Sequence, residues 1–518
     1  MKKICFLFFT MMVTNIGAQP NNYAPETHQF PQVVFYQIFV HSFADSNHDG
    51  VGDLNGITQK LDYLKDLGVR GIWLTPILAS YSYHKYDVID YYRIDSQYGT
   101  LSDFNTLIDE AHNRGIAVIM DMVINHCSDK HPYFVNAKMS KDSMYRSYFV
   151  WSEIDKIHAE HEHWYVPLRR GAKPIKKQMF ENDAEAYYAF FWDGMPDLNY
   201  DNQNVRQAMI DVGTYWLTQT KLDGFRLDAA MWIYPKTYTN KTLQWWQEYS
   251  AAIKKIKPNA FLLAEVTEAH MYAANYLSHG IDAVFNFDLA QHIIDVITTE
   301  DNMHLAQKVA QMQNVYAKAN SRFIEATFLS NHDQNRIAST LNEDVKKIKL
   351  AASILLTLPG SPFIYYGEEL GMLGKKPDEY IREPMLWSHT KNVNQCKWIK
   401  HKYNKPLKVA PVTIQEQTSN SVLQHYKSLI YLRNHNATLA FGTLVPISTQ
   451  NKSLIAYLRS YENNSVLILH NLSGKSMTIE KKTLPMLFNN IIFSSNFSSK
   501  SDGNTFTLAP SATLIVLP

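Results

Sequence analysis

From residue 33 onward the sequence alternates short runs of β-branched and aromatic residues with longer amphipathic stretches, and this rhythm limits the fold more than any other feature. A short apolar run followed by an amphipathic helix is the βα unit of a parallel sheet whose strands are covered on both faces. Eight strands are predicted: Val33 to Phe39, Gly71 to Pro76, Ala117 to Asn125, Gly224 to Ala229, Phe261 to Val266, Ala283 to Phe287, Phe323 to Ser330 and Pro362 to Tyr366. Between them, helices are predicted over Ile57 to Leu67, Asp103 to Asn113, Val205 to Thr218, Leu243 to Ile256 and Val345 to Leu358, each with apolar residues three and four apart. The simplest closure is an α/β fold of the (β/α)8 TIM barrel type, sealed by a last helix from Ser421 to Asn436.

Two stretches leave the rhythm. The interval from about residue 127 to 202 is too long for a bare loop and rich in Tyr, Phe and Trp, so it is expected to be an inserted lobe after strand three. Beyond Phe441 the runs become short and alternating, separated by Asn, Ser and Gly, the pattern of antiparallel strands. The expected division is therefore an export signal over 1–18, a catalytic barrel over 19–440 carrying the lobe, and a C-terminal β-sandwich over 441–518.

The export signal rests on Lys2 and Lys3, an apolar run from Ile4 to Val13 too short to span a bilayer, and small residues at Gly17 and Ala18. It predicts delivery to the periplasm or outside the cell, with no membrane anchor in the mature chain. Cys5 leaves with the signal. Cys127 and Cys396 remain, expected as two free thiols although pairing after export is open to them. With a formal charge of +1 and no basic or acidic run, the chain is not expected to bind nucleic acid or anionic lipid. A neutral partner fits better, and 31 Tyr and 10 Trp supply rings that either pack the core or stack on sugar faces.

Catalytic groups of such a barrel sit at the C-terminal ends of its strands. Four predicted strands end in polar clusters: Asp121, Asn125 and His126 in DMVINH, Arg226 and Asp228 in GFRLDAA, Glu265 in LLAEV, and His332 and Asp333 in FLSNHD. Hydrolysis of a glycosidic bond needs one carboxylic acid to protonate the leaving oxygen and one carboxylate on the other side of the anomeric carbon. Asp228 and Glu265, on adjacent strand ends, can form that pair. Arg226, two residues before Asp228 on the same side of an extended strand, is placed to keep Asp228 ionised. The apolar run before Glu265 is expected to raise its pKa toward an acid-competent state. Asp333, His126 and His332 can bind sugar hydroxyls and favour an oxocarbenium-like ring electrostatically.

These four segments, in this order, resemble the signature regions of the α-amylase family, glycoside hydrolase family 13. GIWLTP at 71–76, MPDLN at 195–199 and GSPFIYYGEE at 360–369 extend the resemblance over nearly the whole chain. It implies a retaining mechanism with Asp228 as nucleophile, Glu265 as acid/base and Asp333 as transition-state stabiliser. It also implies a sugar subsite lined by Arg226, His126 and His332, with Tyr86 of YHKYD stacking on the ring and His84 nearby. MPDLN is similar to a form between the oligo-1,6-glucosidase and neopullulanase branches, and Ala229 after the nucleophile favours α-1,4 cleavage. The implied substrate is a starch-type glucan or maltooligosaccharide; transfer to another sugar, a cyclomaltodextrinase or neopullulanase type of action, and a non-catalytic carbohydrate-binding homologue are the alternatives. Met231 and Trp232 stand where many relatives carry Lys-His, so Trp232 is assigned either a stacking surface on the leaving-group side or a place in the core.

The segment DSNHDGVGD, residues 45–53, sets Asp45, Asn47, Asp49 and Asp53 at alternating positions, with Gly50 for the turn and the Val51 carbonyl as a further oxygen. Hard oxygens in that spacing suit Ca2+, in a shortened relative of the EF-hand loop; a solvated acidic turn is the plainer reading. Asn125 is a candidate for a second calcium between barrel and lobe.

Overall fold

The structure, a computed structural model, describes residues 29–153, 163–168, 171–174, 185–390, 394–405, 408–496 and 498–518. The predicted export signal over 1–18 lies outside them.

Eight parallel strands close into a barrel: β1 Phe35–Ile38, β2 Gly71–Leu74, β3 Ala117–Met122, β4 Gly224–Leu227, β5 Phe261–Ala264, β6 Ala283–Phe285, β7 Ile324–Phe328 and β8 Ser361–Tyr365. Each lies within one of the predicted strands or within a residue of it. The polar residues that end the predicted runs have left the ladder and stand on the rim. Every second residue points inward, so Phe35, Ile119, Phe261, Leu263, Phe285, Phe328 and Phe363 pack on one another inside the barrel. The Phe35 and Phe363 rings stack with centroids 4.4 Å apart. The same alternation aims Gln37, Asp121, Arg226, Asp228 and Glu265 inward above this apolar plug. Register completes the placement: Arg226 pairs with Asp121 on β3 and with Leu263 on β5.

The predicted helix over Ile57 to Leu67 is two, Leu54–Gln59 and Leu61–Leu67, meeting at Lys60. Helices His270–Leu277, Phe287–Thr299 and Leu305–Ala319 add to those predicted from spacing. Asp53 caps the first of all these, accepting from the Gly56 N–H.

Two insertions shape the rim. After β2, a hairpin of Leu78–Ser80 and Val88–Ile94 carries His84 and Tyr86 in its turn. After β3, the predicted lobe contains a sheet in the order Trp151–Glu153, Glu185–Tyr188, Trp164–Leu168, Gly171–Pro174; a bridge pairing His126 with Asp197 seats it on the barrel, and Phe149 pairs with Leu198 inside it.

From Thr443 the chain forms a five-stranded antiparallel sheet and a three-stranded one that share a core of Leu467, Leu469, Phe506, Leu508 and Leu514. A buried arginine fastens this module to the barrel: Arg459 donates to the Thr357 carbonyl at 2.6 Å, beside Arg433 of the last barrel helix, which donates to the Leu356 and Leu358 carbonyls at 2.8 Å. All three carbonyls lie at the C-terminal end of helix Val345–Thr357, where positive charge is favoured. Cys127 and Cys396 are buried free thiols. Among the described residues no helix is long and apolar enough to cross a membrane.

Candidate active site

The strand ends gather three carboxyl groups around one guanidinium. Arg226 Nη1 donates to Asp121 Oδ1 at 2.6 Å and to Asp228 Oδ1 at 2.7 Å, while Nη2 lies 2.9 Å from Glu265 Oε2. Trp73 Nε1 and the Tyr86 hydroxyl donate to the other Asp121 oxygen. Asp121 is thus fully engaged. Asp228 and Glu265 each have one oxygen tied down, and among the described residues Asp228 Oδ2 and Glu265 Oε1 have no hydrogen-bond partner. Both residues line a pocket of about 270 Å³ into which those oxygens can act.

The turn after Asp228 completes the arrangement. Ala229 adopts a left-handed conformation (φ 48°, ψ 35°), uncommon for a residue with a side chain and costing on the order of 1–2 kcal/mol. Its N–H thereby donates to Glu265 Oε2 at 2.9 Å. The nucleophile candidate's own turn fixes the acid candidate.

The electrostatics differ from the sequence expectation in one respect. Burial pushes Asp228 up to about 6 and Asp121 up to about 7, and raises Glu265, with Arg226 opposing each rise. Arg226 therefore does not single out Asp228, because its fork spans all three acids. What separates the pair is attachment: Asp228 meets the charged fork directly, whereas the Glu265 oxygen shares its contact with a backbone amide.

Across the pocket stands a second network. Gln37 Nε2 lies 2.6 Å from His332 Nδ1, which leaves Nε2 to carry the proton toward the Tyr86 hydroxyl at 2.6 Å and Asp333 Oδ2 at 3.1 Å. The Tyr86 and His332 rings stack within 6° of parallel. Burial opposes ionisation of Asp333, but His332 and Arg382 hold its carboxyl well below the usual range. Both contacts are direct: His332 Nε2 lies 3.1 Å from Asp333 Oδ2, and Arg382 Nη2 donates to Asp333 Oδ1 at 2.8 Å and to Asp378 Oδ2 at 3.0 Å. Burial pushes His84 and His126 down to about 4, so both imidazoles are neutral hydrogen-bonding groups near pH 7.

Most residues singled out from sequence meet here: Asp228, Glu265, Asp333, Tyr86, His84 and His126 line the pocket, with Arg226 and His332 behind them. Trp232 does not join them. Phe190 covers one face of its ring at a centroid distance of 3.9 Å, and Trp232 lines a neighbouring cavity. Sequence reasoning missed Arg382 and Asp378, which belong to the irregular segment after β8 and carry no periodic signal, and Phe191, Trp192 and Met195, which the lobe supplies.

In the 45–53 loop, each side chain is oriented by a nearby N–H. Asp45 accepts from His48 and Gly50, Asn47 from Asp49, Asp49 from Val51, and Asp53 from Ser46 and Gly56. Asp45 and Asp53 are buried without an ion-pair partner among the described residues. No group of three or more His, Cys, Asp or Glu side chains there is placed to hold a metal, so a cation would draw equally on the Asn47 amide and the Val51 carbonyl. Two buried carboxylates lacking a cation and two neutral oxygens fit Ca2+ in donor chemistry. Asn125 is buried with an unpartnered Oδ1.

Known proteins resemble this chain over most of its length. A family model described as alpha amylase, catalytic domain, matches residues 37–442, and one described as alpha-amylase SusG C-terminal domain matches 454–515. The chain is 39% identical over 492 residues to Alpha-amylase 3 of Dictyoglomus thermophilum, covering 94% of this chain and 93% of that one. It is 33% identical over 456 residues to a 4-alpha-glucanotransferase of Thermotoga neapolitana, covering 86% and 97%. The crystal structure of an alpha-amylase from H. orenii superimposes with a TM-score of 0.82 at 38% identity, covering 93% of this chain and 99% of that one.

Proposed function

The chain belongs to the α-amylase family of glycoside hydrolases, and from that membership we propose that it cleaves α-1,4-glucosidic bonds in starch-type glucans or maltooligosaccharides with retention of configuration. Asp228 attacks the anomeric carbon while protonated Glu265 delivers its proton to the departing oxygen. The C–O bond breaks and a glycosyl ester forms on Asp228. Glu265, now ionised, takes a proton from water as the water attacks the same carbon, releasing the sugar and restoring both acids. Asp333, kept ionised by His332 and Arg382, stabilises the positive charge that develops on the ring. Arg226 orients both reacting carboxyls, and Tyr86, His84, His126 and His332 hold the ring.

The observation that carries this reading is the pair of inward carboxyls, each with one oxygen anchored near Arg226 and one facing the pocket. Likeness to a glucanotransferase supports a second reading, in which a sugar hydroxyl replaces water in the second step. A product time course on starch, pullulan, cyclodextrin and maltoheptaose separates them. Shorter maltooligosaccharides alone support hydrolysis, chains longer than maltoheptaose support transfer, and no cleavage of any of the four overturns both.

We also propose that Asp45, Asn47, Asp49, Val51 and Asp53 hold one Ca2+, which when bound supplies the positive charge that buried Asp45 and Asp53 lack and ties the loop as a structural brace. Export follows the pattern of residues 1–18, and the domain division remains the one read from the sequence: a catalytic barrel over 19–440 with its lobe at about 127–202, and a C-terminal module over 441–518.

A further inference from the structure

Arg382 serves two acids with one nitrogen. Its Nη2 meets Asp333 Oδ1 at 2.8 Å and Asp378 Oδ2 at 3.0 Å, and the two side chains are similarly exposed, at 44% and 37%. Neither distance nor solvent screening chooses between them, and Asp378 stands on the short helix Asp378–Ile381 that immediately precedes Arg382. A guanidinium is planar and rigid, so holding two of its nitrogens fixes where the third points. Nε donates to the His332 carbonyl at 2.9 Å, and Nη1 donates to the Tyr83 hydroxyl at 3.0 Å. The first partner is main chain, next to Asp333 itself. The second is a side chain from another element, the turn of the hairpin after β2, so the fork depends on what holds Tyr83.

Trp398 holds it. This half-buried ring lies further along the irregular segment that carries Arg382, and it is not among the residues lining the carboxylate pocket. It stacks on the Tyr83 ring at 24° with centroids 5.0 Å apart, whereas Phe39, His41 and His84 meet that ring at 57° to 76°. Face-on stacking fixes the plane of Tyr83, and with it the direction of the hydroxyl. Trp398 is anchored in turn. Its indole N–H donates to Ser42 Oγ at 2.8 Å, and that hydroxyl donates to the Arg382 carbonyl at 2.5 Å. The His41 ring packs against the indole at 72° and 5.0 Å. Gln395, on the same strap, donates to the Met385 carbonyl at 2.6 Å. The indole is thus tied to the backbone that carries Arg382, and its face to the ring that receives the guanidinium.

We propose that Trp398 is a positioning residue for the reaction: by holding Tyr83 it keeps the Arg382 fork where Nη2 reaches Asp333, instead of letting it settle on Asp378 alone. The proposal rests on the reading of Asp333 as the group that stabilises charge on the sugar ring. With maltoheptaose, Trp398→Leu is expected to lower kcat by about 5- to 10-fold, the scale of a charged group moved off its mark. KM should change by less than about twofold, since neither Trp398 nor Tyr83 lines the pocket. Trp398→Phe keeps a ring on Tyr83 and should recover most of kcat; a Phe variant as slow as the Leu variant overturns the proposal. Added to Arg382→Gln, Trp398→Leu should cost little further turnover, because the group to be positioned is gone, and effects that multiply overturn it as well. Tyr83→Phe removes the hydroxyl that receives Nη1 with little risk to folding; it should slow kcat in the same way, and an unchanged kcat also overturns the proposal. Crystal structures score the positioning without turnover. In Trp398→Leu, Arg382 Nη2 should lie out of hydrogen-bond reach of Asp333, and a retained contact refutes the role of Trp398. A native chain that cleaves no maltoheptaose defeats the hydrolase reading instead, and the crystallographic comparison is scored independently of it.

Discussion

At the strand ends, Asp121, Asp228 and Glu265 come from three strands and share the guanidinium of Arg226, whereas Asp45, Asp49 and Asp53 come from one short turn and are held by their own backbone. Both regions concentrate acids, but they neutralise them differently. The first carries its cation in the sequence, so its charge balance forms with the barrel itself. The second offers oxygens and N–H groups and lacks a cationic side chain among the described residues; under the proposed Ca2+ binding its balance comes from solution. An active site must hold carboxyls whose protonation can change during a reaction. A brace needs only to be filled.

The largest difference should appear in Asp228→Asn, which is expected to lower kcat by roughly 10³-fold or more while maltodextrin binding survives. Turnover at the wild-type level would remove Asp228 from the mechanism. In the native chain, the nucleophile must be ionised and its carboxyl is pushed up to about 6. Activity should therefore be present above that value and fall as pH drops through it, with the limb seen in kcat/KM. A profile flat from pH 7 down to pH 4 contradicts this.

Next in size is Arg226→Gln, which leaves three buried acids without their cation. Breaking such a network by removing one partner costs about 3–5 kcal/mol. A fall of that order in stability by urea denaturation, together with loss of turnover, is expected. Near-native stability would mean that the acids are already neutral in the resting protein.

How much of this contrast is visible in the sequence depends on distance along the chain. The loop's turns are legible because they are made locally, the Asp45 carboxylate reaching only as far as Gly50. The strand-end acids are legible one strand at a time, as polar residues closing apolar runs, and only the barrel rule joins them. The fork of Arg226 is not legible, since its contacts to Asp121 and Glu265 arise from the register of β3, β4 and β5 rather than from spacing. Arg382 is hidden more completely: it sits in a non-periodic segment and is identified by where its Nη2 ends, at Asp333. Trp232 is legible only as a choice between a stacking surface on the leaving-group side and a place in the core; in the structure Phe190 covers one face of its ring and Trp232 lines the adjoining cavity.

Arg382→Gln tests that hidden contact. The guanidinium helps His332 hold Asp333 below the usual carboxylate range, so its loss should let the Asp333 pKa rise. Turnover is expected to fall about 10- to 100-fold, as when one electrostatic contact at a reacting centre is removed. The acidic limb of kcat should also move to higher pH, which a purely structural role would not produce. An unmoved limb with normal kcat assigns Arg382 to packing.

The smallest effect is expected at the loop, because it acts on stability alone. Removing Ca2+ with EDTA should lower the melting temperature by about 2–6 °C, the scale of a few kcal/mol of linked binding in a chain of this size. Asp45→Asn should melt lower than the native chain in calcium and lose most of its response to EDTA. The residual kcat of metal-depleted protein at 25 °C should stay near that of the native chain, since none of the carboxylate pocket's lining comes from residues 45–53. An unchanged melt, with metal loss verified by elemental analysis, makes the loop a solvated acidic turn. A kcat that collapses before the melt shifts would erase the contrast between the two acid clusters, since the loop would then be part of the catalytic machinery.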